Sequence, residues 1–183
     1  MKTSLVQKAI QLAVVGHLGQ TRKESKMPYI THPFAVALQL AKHGFSDVVI
    51  AAALTHDVIE DTKVTREELE KTLGGEVLGI VEAMSFDEDK TLPWEERKKQ
   101  YIESVRAASE DVKAVSIADK IHNLECMLEG EAQQGEVFWK YFTRGRADQV
   151  WLVEELLKMF RGTYQHPLVN EYARLVEVFK RGS

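Results

Sequence analysis

The chain has 183 residues, enough for one domain with a sizeable core, and 44% hydrophobic against 28% charged residues is the balance of an ordinary soluble globular protein. A formal net charge of −4 disfavours non-specific binding to nucleic acid or to a membrane surface, both of which want a positive field, and leaves room for a small polyanion held by a local basic cluster. A single cysteine, Cys126, excludes an internal disulfide and any multi-thiolate zinc site, and no apolar run approaches the roughly 18 residues of a membrane span.

The elements read as helices from end to end. Leu5, Val6, Ala9, Ile10, Leu12 and Ala13 recur at helical spacing between Gln7, Lys8 and Gln11, so Ser4 to Gly16 is expected to be an amphipathic helix rather than a secretory leader, and the protein cytoplasmic. A polar segment follows from His17 to Thr31. Pro33 sits at a helix start, predicting a helix from Pro33 to Lys42 that His43-Gly44 stops. The Ala-, Val- and Ile-rich stretch from Asp47 to about Asp61 predicts the most buried helix. Thr65-Arg66-Glu67-Glu68 matches a capping box opening a helix to Leu73, Gly74-Gly75 breaks it, and another helix runs to Met84. Ser85 to Leu92 reads as a loop, Pro93 to about Ala108 as a helix, and Ser109 as the cap of a helix through Leu128. Gly130 to Gly135 reads as a connector, followed by a long helix from Glu136 to Phe160 and a last one from Pro167 to about Lys180. The expected architecture is all-α, a single domain over residues 1–183.

The densest chemistry lies in His56-Asp57-Val58-Ile59-Glu60-Asp61-Thr62. On one continuous helix, His56, Asp57, Glu60 and Asp61 would share an arc of roughly 140°. The other sides of that helix (Ile50, Ala51, Ala52, Leu54, Val58, Ile59) are too apolar for a surface position, so its carboxylates need a cation or hydrogen-bond partners. His32, held before Pro33, and Asp119, an i, i+4 neighbour of Asn123, are candidates to complete a site. Two imidazoles and two carboxylates suit a borderline-to-hard divalent ion such as Mn, Fe or Zn.

The ordered set His32, His56-Asp57, Asp119 resembles the H…HD…D signature of the HD superfamily of metal-dependent phosphohydrolases. The words GHLGQTRK, MPYITHPFAVA, AAALTHDVIEDT, DKTLPWEERK and IADKIHNL are similar to those of the hydrolase domain of RelA/SpoT proteins and of the stand-alone small alarmone hydrolases. The likeness covers residues 5 to 128, with core motifs in 17–124, and is loose over the helices of 136–180. It implies a helical HD-domain bundle with one divalent ion, expected to be manganese, on His32, His56, Asp57 and Asp119. It also implies Glu60 and Asp61 acting on the attacking water, and Arg22, Lys23 and Asn123 contacting a nucleotide. The implied activity is removal of pyrophosphate from the 3′ position of guanosine tetra- or pentaphosphate, the alarmones of the stringent response. Neither nucleic acid nor a membrane is expected as a partner.

Two positions depart from the family pattern. Glu125 stands where a basic residue is usual and Ser116 where a Lys is frequent, removing positive charge near the expected pocket. Lys140, Arg144 and Arg146 are candidates to compensate. A second reading therefore stays open, an HD phosphohydrolase of another nucleotide (an adenosine alarmone analogue, NADPH or a nucleoside monophosphate). A third is a non-catalytic nucleotide-sensing HD module, although such modules typically lose metal ligands that are all present in this chain.

Overall fold

Four helices begin where a hydroxyl can stand in for a missing backbone acceptor. Ser4, Ser46, Thr65 and Ser109 each accept the N–H of the residue three further on, Gln7, Val49, Glu68 and Val112. The structure, a computed structural model, describes residues 3–85 and 89–182. In chain order the helices are α1 (Leu5–Gly16), α2 (Thr31–Lys42), α3 (Asp47–Thr55), α4 (Val58–Asp61), α5 (Arg66–Leu73) and α6 (Gly75–Met84). They continue as α7 (Trp94–Ala107), α8 (Glu110–Gln134), a 3-10 turn (Gly135–Tyr141), α9 (Arg146–Thr163) and α10 (Pro167–Arg181). Among the described residues there is no strand, only an isolated bridge between Thr21 and Pro28, and no helix is long and apolar enough to cross a membrane. The all-α expectation therefore holds. Of the acidic loop expected over 85–92, residues 86–88 lie outside the described residues, and Leu92 closes a turn onto the Asp89 carbonyl.

Helix α3 is the buried centre, packed against α1, α2, α6 and α8. Ala51, Ala52 and Ala53 have no exposed surface, and their small side chains let four helices approach one backbone. Helix α8 forms the second axis, packing against α2, α6, α7 and α10 as well as α3. Its Ile117, Ala118 and Leu124 are fully buried, so the polar residues between them are carried inward.

Four elements differ from the sequence expectation. The helix expected from Asp47 to Asp61 is interrupted at His56-Asp57, which stand as a turn between α3 and α4. The Ala53 carbonyl, which a continuous helix would offer to the Asp57 N–H, receives His56 Nδ1–H at 2.8 Å. The helix expected to stop at Leu128 runs on to Gln134. Gly130 is not a breaker: a Cβ there would lie 2.1 Å from Phe138 Cε2, so the glycine makes room for an aromatic ring. The single helix expected over 136–160 is instead the 3-10 turn, a short loop and α9, because Phe138 and Trp139 turn into the core. Helix α2 begins two residues early, which puts His32 inside its first turn.

Candidate metal and nucleotide site

Three stretches of chain far apart in sequence meet at one point. Helix α2 brings His32, 2% exposed, the α3–α4 turn brings His56 and Asp57, and the middle of α8 brings Asp119, 6% exposed. A ring nitrogen of each histidine and a carboxylate oxygen of Asp119 all lie within 4.8 Å of one another. His32 Nε2 is 3.1 Å from Asp119 Oδ1 and 3.8 Å from Asp57 Oδ2, and His56 Nε2 is 3.1 Å from Asp57 Oδ2 and 3.8 Å from Asp119 Oδ1. Each of the two carboxylate oxygens thus lies within 3.8 Å of both imidazole Nε2 atoms.

This donor set fits a divalent ion. Both histidines have Nδ1 engaged on the side away from the cluster, His56 with the Ala53 carbonyl and His32 with His122 Nδ1 at 2.7 Å, so Nε2 faces inward in each. His56 Nε2 is buried and makes no aligned hydrogen bond, although Asp57 Oδ2 lies 3.1 Å away. Asp57 and Asp119 are each tied by a further donor, Tyr29 Oη to Asp57 Oδ2 at 2.6 Å and Lys120 Nζ to Asp119 Oδ2 at 2.7 Å.

In the absence of a cation, the buried rings and carboxylates serve as one another's counter-charges. Burial disfavours both carboxylates, but the His56 ring holds Asp57 ionised well below the usual range, and Lys120 and His32 do the same for Asp119. Burial also works against a charged His56; the Asp57 carboxylate beside it prevails and lifts the ring to about 9. His122 moves the other way, pushed down to about 4 by its own burial and by His32.

A cavity of about 1190 Å³ opens from this point. Its walls include Arg22 and Lys23 from the segment before α2, Glu60 and Asp61 from α4, Lys120 and Asn123 from α8, and Trp94 from α7. Asn123 Nδ2 donates to Asp119 Oδ1 at 2.6 Å, while its Oδ1 accepts from Arg22 Nη2 at 3.3 Å, so the three sequence-selected residues touch. Glu24 Oε1 accepts from Arg22 Nε at 2.9 Å and steadies the guanidinium, which lies 5.8 Å from the Tyr29 ring centre. Glu60 is exposed at the cavity wall, and partial burial together with Asp57 and Asp61 raises its carboxyl above the ordinary value. The Asp61 carbonyl accepts from Gln20 Nε2, which ties α4 to the loop carrying Arg22.

The remaining sequence candidates lie elsewhere. Arg146 donates to Glu131 Oε1 at 2.6 Å and to the Phe179 carbonyl, a structural commitment at the far end of α8. Lys140 is exposed and neither it nor Arg144 lines the cavity; Arg144 lies over the Trp94 ring at 5.9 Å. Neither of the departing residues, Ser116 and Glu125, lines the cavity. Ser116 is fully buried against the Tyr101 hydroxyl at 3.2 Å, and Glu125 is exposed. Sequence reasoning passed over Tyr29 and Lys120, although both stand inside words it singled out.

The family model described as HD domain matches residues 9–141. Among curated proteins, a guanosine-3′,5′-bis(diphosphate) 3′-pyrophosphohydrolase of Xenopus tropicalis is 38% identical over 167 residues, covering 87% of each chain. The structure of a metazoan ortholog of SpoT that hydrolyses ppGpp superposes with a TM-score of 0.77 at 29% identity, covering 100% of this chain and 98% of that one. A crystal structure of a Listeria monocytogenes protein gives a TM-score of 0.71 at 39% identity, covering 81% and 99%.

Proposed function

Because this chain belongs to the HD-domain family, we propose that it is a metal-dependent hydrolase of guanosine 3′,5′-bis(diphosphate)-type alarmones, releasing pyrophosphate from the 3′ position. The observation that carries the reading is the convergence of His32, His56 and Asp119, with Asp57 Oδ2 3.1 Å from His56 Nε2, beside a cavity whose walls hold Arg22, Lys23, Glu60 and Asp61. A relative 38% identical over most of its length bears that activity in its name. We read residues 1–183 as one HD phosphohydrolase domain working in the cytoplasm, with a small-molecule nucleotide as its partner.

In this reading His32, His56, Asp57 and Asp119 hold one divalent ion, manganese being the expected one. When bound, it supplies positive charge that acidifies an attacking water and polarises the phosphoryl oxygens. Glu60, with its raised carboxyl, or the adjacent Asp61 takes the proton from the water. Arg22 offers a planar face to the purine, and Lys23 meets a phosphate as a compact charge. Lys120 keeps Asp119 anionic, so that both oxygens of that side chain stay committed and correctly turned. The products are GDP and pyrophosphate, with one water consumed.

Pyrophosphate and orthophosphate release from a nucleotide panel tests this, using chain stripped with a chelator and reloaded with manganese. The reading expects pyrophosphate and GDP in equal amounts from guanosine tetraphosphate, and little from GTP. Orthophosphate as the product, or faster turnover of NADPH or a nucleoside monophosphate, would replace it with the phosphohydrolase of another nucleotide.

A further inference from the structure

We propose that His122 is the positioning residue that selects the metal-binding tautomer of His32, an inference that rests on the metal site of the preceding reading. The two nitrogens His32 Nδ1 and His122 Nδ1 lie 2.7 Å apart, so a single proton stands between them and one ring donates while the other accepts. The choice has chemical consequences. If His32 donates, its Nδ1 carries the proton and its Nε2 presents a lone pair toward Asp119 Oδ1 and Asp57 Oδ2. If His122 donates, the neutral His32 carries its proton on Nε2, pointing into the donor cluster, and cannot ligate.

His56 has no such ambiguity, because the acceptor of its Nδ1–H is a backbone carbonyl that can never donate. His32 relies instead on a side chain that could play either part. In this proposal His122 is the acceptor. Its ring centre lies 4.9 Å from that of His32, and it stands one helical turn after Asp119 on α8. A single rigid element thus supplies one metal ligand and the group that orients another. The Cys126 sulfur lies 3.8 Å from both nitrogens of the His122 ring and so favours neither tautomer.

Asparagine and glutamine at position 122 separate this role from a general need for a polar residue. The asparagine carbonyl oxygen occupies the place of Nδ1, whereas the glutamine carbonyl lies one bond further out. Manganese titrations of chelator-stripped full-length chain, followed by calorimetry, give the affinity, and apo-protein melting checks the fold. His122→Asn should bind within about threefold of wild type, and His122→Gln and His122→Leu about 10- to 100-fold more weakly. His122→Gln binding as tightly as wild type, or His122→Asn as weakly as His122→Gln, overturns the proposal. His32→Ala is run alongside: near-wild-type binding by that variant removes the metal reading itself, and the proposal with it. Two-bond ¹H–¹⁵N spectra of histidine-labelled, zinc-loaded wild type supply a readout independent of any variant. They should show His32 protonated at Nδ1 and His122 at Nε2, and the reverse assignment refutes the idea.

Discussion

Replacing Arg146 by methionine separates a structural cation from the catalytic ones. Arg146 and Glu131 form an ion pair with side chains 26% and 10% exposed, and Trp139 Nε1 also donates to Glu131 Oε1 at 3.0 Å. Removing the guanidinium leaves a carboxylate buried with one neutral donor, and its second oxygen already lacks a partner. Breaking a buried pair from one side costs about 3–5 kcal/mol; partial exposure of Arg146 brings that to about 2–3. For a chain of this size, with about 2–4 °C per kcal/mol, Tm should fall by about 4–12 °C. Adding Glu131→Gln removes the stranded charge while keeping an acceptor for Trp139, so the double variant should melt above Arg146→Met alone. KM for guanosine tetraphosphate, measured well below the transition, should not change. The reasoning fails if Arg146→Met melts with the wild type, or if its KM rises tenfold with Tm unmoved.

Asp57→Ala and Asp119→Ala should lose bound metal and turnover together, as read by elemental analysis and pyrophosphate release; full occupancy in either would refute its place as a ligand. Glu60→Gln and Asp61→Asn should retain metal while kcat falls by about 10²–10⁴, the range for a proton-transfer group. Because the Glu60 carboxyl is raised, its base form is lost as pH falls through a value above the ordinary glutamate range, so the acid limb of kcat should lie correspondingly high and shift in Glu60→Asp. Gly130→Ala gains about 1 kcal/mol of helix propensity but must displace the Phe138 ring, at an overpacking cost of about 1–3 kcal/mol. Urea melts should therefore show net destabilisation, and a more stable variant would mean that the ring moves aside freely.

The four residues of the donor cluster were legible because each stands in a compact word, and the words in order resemble the H…HD…D signature. Helix starts were legible for a similar reason: Ser4, Thr65 and Ser109 cap by bonds three residues long. What escaped depends on distant chain. Nothing local distinguishes Gly130, which yields to a ring eight residues on, from a glycine that ends a helix. The turn at His56-Asp57 interrupts a run with every apolar mark of continuity, since the cause is a side chain claiming a backbone acceptor. Arg146 shares the local setting of the other cations of its segment, and only its bonds to Glu131 and the Phe179 carbonyl set it apart. His122 was visible next to Asn123, but its partner His32 lies 90 residues earlier.

Helix α8, 25 residues and about 38 Å long, carries Asp119 near its centre while both flanks are packed into other helices. Deleting one residue between Glu110 and Asp119 would turn one flank by about 100° against the other. Either Asp119 would swing away from His32 and His56, or Val112, Val115 and Ile117 would leave the core. Insertions and deletions accumulated by descendants of this sequence should therefore be absent from α8 and gather between α6 and α7 or between the 3-10 turn and α9, where a change of length leaves the angular register of the site untouched.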